Sequence, residues 1–173
     1  MIDPPTPDEY AEYYGPYVAA VPSGDILDVL AAQRDELVEL LQDLTDEQAR
    51  RRYAAGKWSV KEIVGHLIDA ERCFAVRAMA FARQDPEALP GFDEQIYVRN
   101  GGADERDLDG LLEEYRLLRT ANVVLFGAFS DEAWTRRGTA SGVEFTTRAK
   151  VWIVAGHQAH HTKVLRERYL DRG

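Results

Sequence analysis

The sequence predicts an all-α protein, a four-helix bundle, on three observations. Four segments carry apolar residues at helical spacing, one of them opens on a capping-box tetrapeptide, and three connections without an internal repeat join them. The chain has 173 residues, 45% of them apolar, which suits one domain over 1–173, an arm over 1–24 followed by a bundle over 25–173. A chain of this size removes roughly 70% of its accessible surface on folding, enough to build a core without disulfides.

The arm carries Pro4, Pro5, Pro7 and Pro16, with Pro22 closing it. These forbid a long helix, and Tyr10, Tyr13, Tyr14 and Tyr17 need a surface to lie on, so the arm is expected to wrap the domain. From Asp25, the residues Ile26, Leu27, Leu30, Leu37, Leu41 and Leu44 recur at helical spacing. Ser23 offers an upstream N-cap, and this first helix ends near Asp43. Ser59-Val60-Lys61-Glu62 fits a capping box, in which the serine oxygen and the glutamate three residues on satisfy two orphan amides reciprocally. The second helix starts there, buries Ile63, Val64, Leu67, Phe74 and Met79, and ends at Gln84-Asp85-Pro86. The residues through Pro90, Gly91, Gly101 and Gly102 show neither period and read as a long loop, a length that in a compact domain signals function or disorder. A third helix from about Asp107 has Leu108, Leu111, Leu112, Tyr115, Leu118, Val124, Leu125 and Phe129 as its buried stripe. Gly138 to Phe145, centred on Ser141-Gly142, suits a short hairpin before Thr146 or Thr147 caps a last helix running to about Leu170.

Charge narrows the partners. The 21 Lys and Arg against 30 Asp and Glu leave a net charge of -9, which repels phosphate backbones and anionic membranes, so neither nucleic acid nor a membrane is an expected partner. No stretch reaches the roughly 18 apolar residues of a membrane span. The first residues, Met1 to Pro5, lack the basic and apolar regions of a secretion signal, so a cytoplasmic protein is expected. The single cysteine, Cys73, excludes an internal disulfide and a multi-cysteine metal site, which leaves histidine and carboxylate as candidate ligands.

The chain's four histidines lie on two helices: His66 on the second, and His157, His160 and His161 on the last. Residues four apart on a helix differ by about 40° and lie about 6 Å apart along the axis, so His157 and His161 share a face and suit chelation of one ion. His160 is rotated about 60° to the other side of His157, making a 157/160 pair a less natural alternative. A third ligand from another helix would complete a three-ligand catalytic site, and His66 is the histidine left to supply it. The competing reading is a set of hydrogen-bonded core or surface histidines without metal.

The stretch Lys57-Trp58-Ser59-Val60-Lys61-Glu62-Ile63-Val64-Gly65-His66-Leu67-Ile68-Asp69-Ala70-Glu71-Arg72 resembles the start of the second helix in the DinB/YfiT-like superfamily. Gly156-His157-Gln158-Ala159-His160-His161 resembles its last-helix motif, and Leu89-Pro90-Gly91-Phe92-Asp93 the loop between. The likeness runs from Asp8-Glu9-Tyr10 to Glu167-Arg168-Tyr169, nearly the whole chain. It implies a four-helix bundle of DinB/YfiT type, a homodimer, with a divalent ion held by His66, His157 and His161. Characterised relatives include thiol S-transferases that use bacillithiol or mycothiol and a mycothiol-dependent isomerase.

Other residues are weighed singly. Asp69, one turn after His66, is a candidate to orient its imidazole by accepting the other ring proton, with a solvated helical carboxylate as the alternative. In the loop, Asp93 is the candidate catalytic acid or base, beside Glu94, and Tyr97 and Arg99 are candidate substrate groups under a flap over the metal; His160 joins them as a neighbour of the ligands. The competing reading of Asp93 is a residue that starts a turn after Pro90-Gly91 and points at solvent. Cys73 reads as core packing, Arg77 as a partly buried ion-pairing residue, Asn122 as a buried hydrogen bonder, and Trp58 and Trp152 as core or interface aromatics.

Together these readings point to an enzyme that acts on a small molecule through a divalent ion, nickel or zinc being expected although three imidazoles suit several metals. On the family resemblance alone, transfer of a low-molecular-weight thiol to an electrophile, in detoxification, is the leading reaction. Hydrolysis at the same site and a non-catalytic, stress-associated metal-binding dimer are the alternatives.

Overall fold

In the computed structural model, which describes residues 2–170, the arm passes through two 3-10 turns, Pro7–Glu9 and Glu12–Tyr14, into helix α1 (Gly15–Ala19). There follow α2 (Ile26–Leu41), the single turn α3 (Asp46–Ala49), α4 (Val60–Ala82), α5 (Glu94–Asn100), α6 (Leu108–Gly127) and α7 (Asp131–Thr135). A hairpin of β1 (Arg137–Ala140) and β2 (Val143–Thr146) leads into α8 (Thr147–Leu165), which continues as a π-helical turn, Arg166–Leu170. Met1 of the expected arm and residues 171–173 at the end of the expected domain lie outside the described residues. The four long helices α2, α4, α6 and α8 stand where the sequence placed its four.

Local chemistry sets their ends. The Ser59 amide donates to Glu62 Oε2 at 2.8 Å and the Glu62 amide to Ser59 Oγ at 3.0 Å, so both halves of the capping box form. Asp25 rather than Ser23 caps α2, accepting from the Leu27 amide at 3.0 Å. Thr146 caps α8 through the Ala149 amide at 3.1 Å. Ser141 and Gly142 both take positive φ, 54° and 74°, the pair of left-handed residues that a two-residue hairpin turn requires.

Two apolar clusters give the helices their directions. Ile26 and Leu30 of α2, Phe74 and Phe81 of α4, Phe126 of α6 and Val151 to Ala155 of α8 meet in one. Leu37 and Leu41 of α2, Ile63 and Leu67 of α4, Leu111 and Tyr115 of α6 and Leu165 of α8 meet in the other. Thus α2 and α8 run from the first cluster to the second, and α4 and α6 run back. Both α2 and α4 pack on α6 and α8, which puts α2 and α4 on one diagonal. Because α4 and α6 are parallel neighbours, the chain between them must return the length of α4, whose 23 residues span about 35 Å. That return is the long loop of the sequence reading. It is not structureless: it holds α5, a 3-10 turn at Ala103–Glu105 and a bridge from Leu89 to Ala140 of the hairpin.

Between the clusters lies a polar layer. Arg119, 1% exposed, donates to both oxygens of Glu71 at 2.7 and 2.8 Å, and Asn122 donates to Glu71 Oε1 at 3.0 Å. Gln158 accepts from Tyr115 Oη and donates to the Gln33 carbonyl at 2.5 Å, which fixes the rotation of α8. This layer corrects the predicted stripe of α6. The buried face continues through Arg119, Asn122 and Phe126, whereas Val124 is 70% exposed, because the helical phase carries on through polar residues that find partners inside.

The arm wraps the bundle in ordered form. Glu9 accepts from Thr146 Oγ1 at 2.6 Å and Arg148 Nε at 2.7 Å; burial alone would raise its pKa, but these donors outweigh it and hold the carboxyl at about 2. Farther on, the Tyr17 carbonyl presses so closely on Gly156 of α8 that a Cβ there would lie 1.9 Å from the oxygen. No helix among the described residues is long and apolar enough to cross a membrane.

Candidate metal centre

Antiparallel packing of α4 on α8 sets an early residue of one against late residues of the other. His66 Nε2 lies 3.0 Å from His157 Nε2, and His161 Nε2 lies 3.2 Å from the same atom. The ligand nitrogens of all three lie within 4.8 Å of one another. An imidazole nitrogen offers one lone pair or one proton, so His157 Nε2 can satisfy only one of its two partners by hydrogen bonding. A cation between them satisfies all three lone pairs. Nitrogens about 2.0–2.1 Å from a common ion stand about 2.9–3.4 Å apart at angles between octahedral and tetrahedral, and both measured separations fall in that range. The residues present therefore fit a divalent metal.

The surroundings favour the form that binds metal. Burial pushes His66 down to about 4 and His161 to about 3, and burial together with the neighbouring imidazoles pushes His157 well below its ordinary value. All three are neutral at pH 7, as ligation requires. Aromatic rings line the cluster: Trp58 lies 4.7 Å from His66, Phe74 5.7 Å from His157, and Tyr17 5.9 Å from His157, centroid to centroid.

Besides a small recess at His66, two larger cavities reach the histidines. One of about 130 Å³ is lined by His66, His157, Tyr17, Phe74, Arg77 and Glu94. The other, about 260 Å³, is lined by His161, His160, Trp58, Gln95, Tyr53 and Tyr169. The start of α5 contributes to both, so the return segment covers the cluster.

The structure distributes the other candidate residues differently from the sequence reading. His160 is exposed, 5.6 Å from the Tyr17 ring, and stays outside the converging nitrogens. Asp69 makes no hydrogen bond to His66 among the described residues; it lies 3.8 Å from Arg72, and burial raises its pKa. The expectation that it orients the imidazole is thereby corrected, because its carboxylate turns along α4 toward Arg72. Asp93 is exposed and accepts from the Gln95 and Ile96 amides at 2.9 and 3.1 Å, so its carboxylate caps α5. The turn-starting alternative describes it, and the neighbouring Glu94 is the carboxylate that lines the cavity with His66 and His157. Tyr97 lines a small recess with His66 and Asp69, while Arg99 lines a groove with Trp58 and Gln95 that contains none of the histidines. Cys73 is half-buried and its thiol is pushed up by burial, as suits a packing residue.

Sequence reasoning missed Tyr17, Trp58 and Arg77 as site residues. The tyrosines of the arm and the Trp58 preceding the α4 cap were the available signals, but neither carries a spacing that points at histidine.

A family model described as the DinB superfamily matches residues 30–165. Among solved structures, YfiT from Bacillus subtilis matches with a TM-score of 0.71 and 21% sequence identity, over 82% of this chain and 84% of that one. It is described as a probable metal-dependent hydrolase with an unusual four-helix bundle topology. No curated protein matches the chain in sequence.

Proposed function

The chain belongs to the DinB superfamily, and on that premise we propose that it is a metal-dependent enzyme whose ion is held by His66, His157 and His161. The observation that carries the proposal is the convergence of three neutral Nε2 atoms from two helices. Nickel or zinc suits this donor set. When bound, the ion supplies Lewis acidity that makes a thiol or water nucleophilic at neutral pH.

The chain's own residues do the rest. Trp58, Phe74 and Tyr17 exclude bulk water from the cluster. Glu94, which lines the smaller cavity, would take up the proton released by the nucleophile. Two cavities meeting at one cluster suit a two-substrate reaction, with a low-molecular-weight thiol in the larger and a small electrophile in the smaller. Thiol transfer is therefore the reading we favour. Hydrolysis uses the same site and needs one cavity; the description of YfiT as a probable hydrolase supports it as the second reading.

Metal content of the purified protein, followed by turnover with and without added thiols, tests both. His66→Ala, His157→Ala and His161→Ala should each abolish stoichiometric metal while His160→Ala retains most of it. Loss of the ion in His160→Ala alone would overturn the ligand set. Turnover of an electrophile without any thiol would favour hydrolysis.

A further inference from the structure

The cavity beside His66 and His157 contains a cation that the reading above leaves idle. Arg77 lies on the same face of α4 three turns after His66, and is 5% exposed. Its Nη2 donates to the Pro90 carbonyl at 2.7 Å and Ser141 Oγ at 3.3 Å. Among the described residues no acceptor bonds its Nε or Nη1, no carboxylate pairs with it, and neither nitrogen is sealed from solvent. A guanidinium cannot shed its proton, and buried charges are ordinarily paired, so this one lacks a counter-ion. It sits 5.9 Å from the Phe74 ring centroid and 5.7 Å from that of Phe92, which holds its plane in place. The same Phe74 ring lies 5.7 Å from the His157 ring, so the guanidinium and the histidine cluster border one aromatic side chain. A second buried basic group lies nearby: Lys150 Nζ has no acceptor and shares Tyr14 and Phe74 as neighbours with the cavity.

We infer that Arg77 is the anion-binding residue of this cavity, and that the small substrate taken there carries a carboxylate at one end, with its reacting atom several bonds away beside the histidines. The inference deepens the enzyme reading and rests on it for the location of the reacting end. The volume, about 130 Å³, sets the size, because a cavity of about 150 Å³ takes a molecule as large as benzene. Glu94 also lines this cavity and forms no ion pair with Arg77 among the described residues.

Butyrate and butyramide are matched in shape and differ in charge, so their dissociation constants, measured by nuclear magnetic resonance titration on metal-loaded and on metal-free protein, test the inference. Butyrate should bind about 10- to 100-fold more tightly than butyramide in both forms and should shift the Arg77 Nε–H signal. Arg77→Gln should erase that preference and leave butyramide binding unchanged; Arg77→Lys, which keeps the charge, should retain part of it. If Arg77 only ties Pro90 and Ser141 to α4, both variants lose thermal stability and keep the preference, which overturns the inference. A preference that appears only with metal and survives Arg77→Gln assigns the anion to the metal and also overturns it. Failure of the protein to bind any metal sinks the enzyme reading instead, and the metal-free titration still decides the role of Arg77.

Discussion

Lys150 is wholly buried on α8, its Nζ 3.1 Å from the centroid of the Phe145 ring, and no hydrogen-bond acceptor reaches it. Burial, reinforced by the charge of Arg77, pushes it down from 10.5 to about 6. Between those two values the unfolded chain binds a proton that the folded chain does not. Its contribution to stability is therefore complete only above about pH 10.5 and is lost as pH falls toward 6, at a rate approaching 1.4 kcal/mol per pH unit. Lys150→Met fills the same space without a charge, so denaturant unfolding at pH 7 should show higher stability, and the rise between pH 7 and 9 should flatten. An unchanged slope would mean that the ammonium is hydrated in the folded state. Nothing in the sequence marks Lys150 or Arg119 as interior, because periodicity assigns charged residues to the surface and cannot see an aromatic cage or a Glu71 partner on another helix. The histidines were legible for the opposite reason: four-residue spacing puts His157 and His161 on one helix face, and His66 stood on another helix to face the pair. For Asp93 capping chemistry claims the carboxylate, and of the two acids named there it is the exposed Glu94 that borders the cavity beside His66 and His157.

Two elements enclose the site, the return segment, which the sequence reading expected as a flap, and the arm, which it expected only to wrap the domain. The return segment through α5 exists because α4 and α6 run parallel, and parallel neighbours need a connection as long as the helix; from sequence its length, glycines and polar residues showed, but the helix α5 within it did not. The arm was legible as ordered from its prolines and tyrosines, but its landing place was not, because the receiving residue is a helical glycine that looks unremarkable in sequence. A methyl group at Gly156 would meet the Tyr17 carbonyl at 1.9 Å, and it is backbone, not a side-chain end, that would have to move. Gly156→Ala should therefore lift α1 off α8 and draw the Tyr17 ring away from His157 and His160. The cost should be about 1–3 kcal/mol, as for other overpacking substitutions. Limited proteolysis within residues 2–24 should quicken while the helical circular dichroism of the bundle stays nearly constant. Proteolysis at the parent rate would show that the arm adjusts without detaching, and that Tyr17 is not held by this contact.

The whole bundle has its histidine cluster between two helices that other contacts already hold in register. Two apolar clusters lie at its two ends, and the Glu71–Arg119–Asn122 and Tyr115–Gln158–Gln33 bonds join α4, α6, α8 and α2 across the middle. None of these depends on an ion, which separates this fold from small metal domains that unfold without one. An ion that binds only the folded state adds RT ln(1 + [L]/Kd), about 2.7 kcal/mol at a hundredfold excess over Kd, and chelation removes that amount and no more. Thermal unfolding after chelator treatment should show a lower midpoint, recovered as metal is restored and dependent on its concentration, while far-ultraviolet circular dichroism at 25 °C stays that of the loaded protein. The same treatment of His157→Ala should shift nothing, because the linkage needs the site. If chelation collapsed the helical signal, the two helices would owe their pairing to the metal, and the polar layer would have to be read as a consequence of metal binding and not as the frame that holds His66 against His157 and His161.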